Sequence, residues 1–206
     1  MIKLKSSKPA KGAELDALVV GAGVGGLIVS ALLLSKGRKV HLTEKAPQAG
    51  GRYSPEKRDG YTLGAGFAFA DSSWWRSLAD RLGISCETIP VAEGKGLVHS
   101  SKGWQSPEDL PLWESLLLEN CSEYPHGGTY GIVESLLQYC STQAGFSVSF
   151  ECPVTVLKGE GGRILSAALG SETEVRPKDV YWCADYKTLL EILTGPGIPE
   201  PGPERV

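Results

Sequence analysis

The residues best placed to do chemistry are three glycines, Gly21, Gly23 and Gly26, in the run Gly21-Ala22-Gly23-Val24-Gly25-Gly26, together with a carboxylate, Glu44, about 20 residues further on. A backbone without side chains can approach a pyrophosphate closely. A carboxylate at that distance along a βαβ unit can accept hydrogen bonds from a ribose diol. The spacing alone carries little weight: glycine is 26 of 206 residues, and three glycines so spaced arise by chance roughly 0.4 times in such a chain. The elements around them must carry the argument.

Those elements are in register. Ala17-Leu18-Val19-Val20 shows no polar alternation and predicts a strand buried on both faces, as in a parallel sheet covered by helices. Gly21 starts a tight turn. Val24, Leu27, Ile28, Ala31 and Leu32 then recur at helical spacing, and Lys36-Gly37 supplies a cationic last turn and a C-terminal glycine. Lys39 to Glu44 reads as a second strand, parallel to the first and joined to it by the helix. Each glycine then has its own physical reason. Gly21 makes the turn, Gly23 admits the pyrophosphate, and Gly26 allows close helix–strand packing. A dinucleotide-binding βαβ unit follows, with a glycine-rich structural turn as the plainer alternative.

After Glu44 the chain continues Lys45-Ala46-Pro47-Gln48-Ala49-Gly50-Gly51-Arg52. A flexible glycine pair and a fixed cation just beyond the ribose-binding end are more than a nicotinamide enzyme needs. Here the sequence resembles the FAD-dependent family of phytoene desaturases, retinol-saturase-like enzymes and flavin amine oxidases, whose first motif runs from the acidic residue into a Gly-Gly-Arg turn. The resemblance implies FAD as cofactor, bound by Gly21, Ala22, Gly23, Gly25, Gly26, Glu44, Lys45, Gly50, Gly51 and Arg52, with Val154 meeting the adenine through its backbone. The Arg52 guanidinium can bond phosphate oxygens bidentately; a solvated loop cation is the alternative. The family's usual acidic residue in the next motif falls on Gly64.

Composition bounds the rest. A formal net charge of -3, with 41% hydrophobic and 22% charged residues, describes an ordinary globular chain and argues against a nucleic-acid partner held through phosphates. No apolar run approaches the ~20 residues that span a bilayer. Residues 1–12 carry Lys3, Lys5, Lys8 and Lys11 with no signal-peptide core behind them, and read as a flexible basic tail. Cys86, Cys121, Cys140, Cys152 and Cys183 are widely spaced, and free thiols in a reducing cytoplasm are expected. His41, His99 and His126 lack metal-ligand spacing, so no metal site is expected and His41 is taken as a strand residue.

Further along, a helix is expected from Trp74 to Leu82, a hairpin around Ser100-Ser101-Lys102, and a helix between Pro107 and Tyr124. The run His126-Gly127-Gly128-Thr129-Tyr130-Gly131 precedes a helix through Ile132, Leu136, Leu137 and Cys140 that ends at Gly145. Strands follow at 146–150, 153–157, 163–169 and 180–183, then a helix from Tyr186 to Leu193. The fold class is α/β: a Rossmann-like FAD/NAD(P)-binding domain over 13–85 and 127–194, a reduced α+β substrate or interaction lobe over 86–126, and a Pro/Gly-rich tail over 195–206. Full-length family members carry a C-terminal Gly-Asp motif at the flavin end, and this sequence has no Gly-Asp dipeptide. The resemblance therefore implies a FAD-binding oxidoreductase or oxidoreductase subunit, moving hydride between FAD and a small organic substrate, apolar in one reading. A homo- or hetero-oligomeric partner is expected to supply the missing part. A non-catalytic dinucleotide-binding or scaffold subunit stays open, as does a small nicotinamide-binding protein. No catalytic residue is assigned.

Overall fold

The structure is a computed structural model, and it describes residues 4, 6–64, 73–85, 87–90, 98–100, 103–105, 123–171 and 173–196. The expected helix between Pro107 and Tyr124 lies outside the described residues, as do Cys86, Cys121 and most of the Pro/Gly-rich tail. The chain divides into two compact units, 1–54 with 133–206, and 55–132.

The first unit is built on a seven-stranded sheet. Its strands are β1 (Glu14–Val20), β2 (Val40–Thr43), β9 (Phe146–Ser149), β10 (Val154–Glu160), β11 (Arg163–Leu169), β12 (Thr173–Trp182) and β13 (Leu193–Thr194), in the order β13-β10-β11-β12-β1-β2-β9. The four strands β12, β1, β2 and β9 run parallel, in register Val20↔Trp182, Val20↔Thr43 and Thr43↔Ser149. The expectation of a doubly covered central strand holds: Ala17, Leu18 and Val19 are fully buried, and so are all four residues of β2. A two-residue turn at Gly161-Gly162 reverses β10 into β11, and pairing continues up to it at Glu160↔Arg163.

Strand β12 is longer than the 180–183 segment read from sequence. Thr173 to Val175 pair antiparallel with β11, and Arg176 to Trp182 pair parallel with β1. Pro177, which has no N–H to give a ladder, stands just where pairing with β11 stops. One strand thus belongs to both the β-meander and the nucleotide-type sheet, and its carboxyl end reaches the same edge as those of β1 and β2.

Helix α1 (Val24–Leu34) joins β1 to β2. Its fully buried stripe is Gly26, Leu27, Ser30, Ala31 and Leu34, whereas Val24, Ile28 and Leu32 of the expected stripe are only half-buried. The rotation has a cause in Gly26: a Cβ there would lie 1.8 Å from the Gly21 carbonyl oxygen, so the helix rests its smallest residues on the strand end. Ser30 shares that face at no polar cost, since its hydroxyl donates to the Gly26 carbonyl at 2.8 Å.

His41 confirms its strand assignment and shows how it is tolerated. Its Nδ1 is 2.8 Å from Ser147 Oγ and its Nε2 3.2 Å from Ser149 Oγ. Ser149 Oγ donates onward to the Ser7 carbonyl at 3.0 Å, so Nε2–H is the donor to Ser149, and Ser147 donates to Nδ1. Burial pushes the imidazole down to about 4, so the ring is neutral at ordinary pH. Ser6 and Ser7, inside the stretch read as a flexible tail, are instead tied to this edge: Ser7 N–H donates to Val148 O at 2.9 Å, and Phe150 N–H to Ser6 Oγ at 3.1 Å. The edge strand's backbone groups need partners, and a lysine-rich composition does not report that demand.

The second unit contributes β3 (Pro55–Arg58) and β4 (Tyr61–Gly64), which form a hairpin. Its turn residues, Asp59 and Gly60, have φ of 51° and 84°, the left-handed pair that an Asp-Gly hairpin turn favours. Helix α2 (Ser73–Leu82) matches the expected segment, with Trp75, Ala79 and Leu82 buried. Strands β5 (Thr88–Pro90) and β8 (Glu123–Pro125) pair, and β6 (Val98–Ser100) pairs with β7 (Gly103–Gln105) as the expected hairpin. Helix α3 (Thr129–Thr142) spans the boundary between the units, and α4 (Tyr186–Ile192) follows β12.

Candidate dinucleotide-binding site

A cleft of about 820 Å³ opens at the carboxyl ends of β1, β2 and β12. This is where open α/β sheets place their ligands, and the volume lies within the range of small-molecule sites. Its walls collect most of the residues singled out from sequence: Gly21, Gly23, Gly25, Glu44, Lys45, Gly50, Gly51, Arg52 and Val154. Ala22 and Gly26 stand just behind that wall. Ala22 is fully buried, and Gly26 is pressed against the Gly21 carbonyl.

The three glycines of the turn differ in what constrains them. Gly21 has φ of 98°, and a Cβ would lie 2.9 Å from the Cys183 carbonyl oxygen, so both conformation and space require glycine. Gly23 precedes the first turn of α1 in extended conformation, with φ -70° and ψ 177°, and a Cβ there would meet no heavy atom within 4 Å. Among the described residues nothing needs the bare Cα of Gly23, whose face opens to the cleft. The cradle so formed lies at the start of a helix, whose N-terminal N–H groups favour an anion.

Sequence treated the Gly50-Gly51-Arg52 turn as a neighbour of this loop; the fold stitches the two together. Gly23 and Gly50 form a parallel bridge, Gly50 N–H donates to the Ala22 carbonyl at 2.8 Å, and a Cβ on Gly51 would lie 3.4 Å from the Gly23 Cα. Two glycine turns therefore share one cradle. Gly51 to Tyr53 make a single 3-10 turn that carries the exposed Arg52 on the cleft wall.

Glu44 ends β2 with both carboxylate oxygens engaged. Oε2 accepts Ala22 N–H at 2.7 Å and Oε1 accepts Ala46 N–H at 2.8 Å. A carboxylate has about four acceptor positions, so each oxygen keeps one for a further donor. The same side chain thus holds the glycine loop in place. Across from it, Thr43 Oγ1 donates to the Cys152 carbonyl, and Cys152 N–H donates to the Glu44 carbonyl at 2.9 Å, which docks the 152–154 segment and Val154 beside the end of β2.

One wall was not read from sequence: Trp182, Cys183, Ala184, Asp185 and Thr188, with Thr43, Tyr53, Cys152 and Pro153 between the known parts. The signal was present, because 180–185 reads as a strand returning to the sheet, and the carboxyl end of a strand beside β1 belongs at the ligand edge. Asp185 caps α4: its Oδ2 accepts Thr188 N–H at 2.9 Å and Thr188 Oγ1–H at 3.2 Å. The Thr188 N–H holds the Asp185 carboxyl below its usual range, with the positive charge of Lys45 adding to the effect. Among the described residues no cluster of His, Cys, Asp and Glu could hold a metal. None of their helices is long and apolar enough to cross a membrane.

Comparison with known proteins agrees with this geometry. Residues 19–82 match the family described as NAD(P)-binding Rossmann-like domain. Prolycopene isomerase of Daucus carota is 36% identical over 125 residues, 55% of this chain and 19% of that protein. A 4,4'-diapophytoene desaturase of Staphylococcus haemolyticus is 52% identical over 48 residues, 23% of this chain and 10% of that one. Over these segments the chain is similar to proteins of the prolycopene isomerase and phytoene desaturase type. It matches a fifth or less of the length of these curated relatives. Among solved structures, a putrescine oxidase variant shares the fold at TM-score 0.69 and 16% identity, over 91% of this chain and 62% of the other. An oxidoreductase from Methanosarcina mazei does so at TM-score 0.59 and 18% identity, over 82% of this chain and 58% of the other. The Rossmann-like match over residues 19–82 includes the glycine loop and Glu44, which line or adjoin the cleft.

Proposed function

We propose that this chain forms the adenosine and pyrophosphate end of a FAD site in an oxidoreductase of the desaturase and amine oxidase type, which moves hydride between a small organic substrate and the flavin. The observation that supports it is the shared cradle, in which Gly23 and Gly50 are bridged at the start of α1 with Arg52 on the same wall. A pyrophosphate seated there can take N–H groups from two turns and a guanidinium, a denser anion site than a single glycine loop offers. In this reading Glu44 and Lys45 meet the ribose and Val154 the adenine. FAD, when bound, supplies the chemistry by accepting a hydride equivalent at its flavin ring. The chain's own residues bind and orient it.

The flavin end is completed by a further polypeptide segment, from another copy or a distinct chain. What supports this is the edge of β12: beyond Val175 that strand pairs with β1 alone among the described residues, and Val180, Tyr181 and Trp182 are only half-buried. Parallel sheets are normally covered, and an open edge is a template for a further strand.

The test is the absorption spectrum of the purified protein, followed by calorimetric titration with FAD and NAD. FAD is expected to bind at least about tenfold more tightly, a difference of about 1.4 kcal/mol; tighter NAD binding rejects the assignment. Light scattering on the eluting protein tests completion, because a 21.9 kDa monomer that reduces FAD with substrate unaided removes the need for a partner.

A further inference from the structure

The cleft has two chemically different kinds of lining. The glycine cradle, Arg52 and Lys45 are polar. Val20, Cys152, Val154 and Trp182 also line it, and they pack in or against the apolar cluster beneath the β-meander. The indole of Trp182 is half-buried there, and its Nε1–H donates to the Asp185 carbonyl at 2.8 Å. That bond closes the turn into α4 and uses the ring's one hydrogen-bond donor. Trp182 can therefore offer a ligand only its apolar ring, held in place by the bond to Asp185. A fixed aromatic surface without a free polar group recognises a flat aromatic partner, by stacking rather than by hydrogen bonding.

We propose that Trp182 is a binding residue for the purine base of the nucleotide, forming an aromatic wall of the cleft that the Pro153–Val154 segment also lines. This inference rests on the FAD reading of the cleft and deepens it. The base lies against Trp182 while the phosphates lie in the cradle, so the two kinds of lining contribute separately to affinity. Base recognition is divided: the indole selects for an aromatic ring, and the backbone near Val154 distinguishes which ring it is.

The experiment compares ADP with inorganic pyrophosphate as probes, by calorimetry and by intrinsic fluorescence, on the full chain and on Trp182→Leu and Trp182→Phe. Leu keeps an apolar side chain but removes the aromatic plane, whereas Phe keeps a stacking ring and loses the bond to Asp185. Trp182→Leu is expected to weaken ADP by about 5- to 30-fold, in line with base–aromatic stacking, and to leave pyrophosphate within about twofold. ADP is expected to quench the fluorescence of the parent and not that of Trp182→Phe, which binds ADP within about threefold of it. Equal losses for ADP and pyrophosphate in Trp182→Leu overturn the proposal, because Trp182 then supports the fold and not the base. Unchanged ADP affinity also overturns it. If Trp182→Leu fails to fold, the Phe variant decides: full ADP quenching without Trp182, or loss of ADP affinity despite a ring, refutes the role. ADP affinity equal to the parent's in both variants leaves the dinucleotide reading standing while removing this one; failure of the parent to bind ADP, pyrophosphate or FAD removes both.

Discussion

The same substitution three residues apart should have opposite consequences. Gly26→Ala places a Cβ 1.8 Å from the Gly21 carbonyl oxygen, far below the 3.0 Å that real contacts respect, and the obstacle is backbone rather than the end of a flexible side chain. The helix must withdraw from the strand by on the order of 1 Å, an overpacking cost of about 1–3 kcal/mol. Replacing a helical glycine by alanine returns about 0.5–1 kcal/mol. A net loss of about 1 kcal/mol remains, lowering the melting temperature by about 2–4 °C in a chain of this size. Gly23→Ala meets nothing within 4 Å, and its φ of -70° suits any residue. Its stability should stay within about 0.5 kcal/mol of the parent. Its Cβ, however, fills the cradle, and losing one charge-assisted contact to the pyrophosphate removes about 1.5–3 kcal/mol of FAD or ADP binding. Calorimetric melting paired with ADP titration reads both numbers. If Gly23→Ala binds ADP like the parent, or melts as early as Gly26→Ala, the division of labour between the two glycines is wrong.

Glu44→Ala should reduce stability as well as affinity, because it strands the Ala22 and Ala46 N–H groups; a loss of about 1–3 kcal/mol in urea unfolding without ligand is expected, and an unchanged midpoint would show that those bonds contribute nothing. His41 is held down to about 4 in the folded state against 6.5 for the free group. The unfolded chain therefore binds the extra proton first, and stability is intact above pH 6.5 and falls as the pH drops toward 4. By pH 5 the loss from this group is about 2 kcal/mol, measured as the pH dependence of the urea midpoint that disappears in His41→Gln. Arg52→Lys should weaken FAD binding by about tenfold through loss of bidentate geometry, and an unchanged Kd would make Arg52 a solvated loop cation. Burial pushes the Cys140 thiol up to about 12; mass spectrometry after maleimide treatment at pH 8 should find it unmodified in the folded protein and modified in urea.

The sequence by itself determined the features that depend on neighbours along the chain. An apolar run without alternation marked β1, helical spacing marked α1, and the glycine spacing with Glu44 placed a glycine loop between a strand and a helix. Periodicity, turn chemistry and motif spacing are local properties, and a linear reading captures them. The tertiary structure alone decided what meets across the sheet. Gly50 bridges Gly23, Glu44 is bonded to the loop it was expected to serve only through a ligand, and Ser6 and Ser7 complete an edge that their composition did not announce. It also decided that β12 belongs to two pairing patterns at once, which carries Trp182 and Asp185 to the cleft about 160 positions after Gly21. Such contacts are set by strand order and register, and these depend on how distant segments bury one another's apolar faces and satisfy one another's backbone groups.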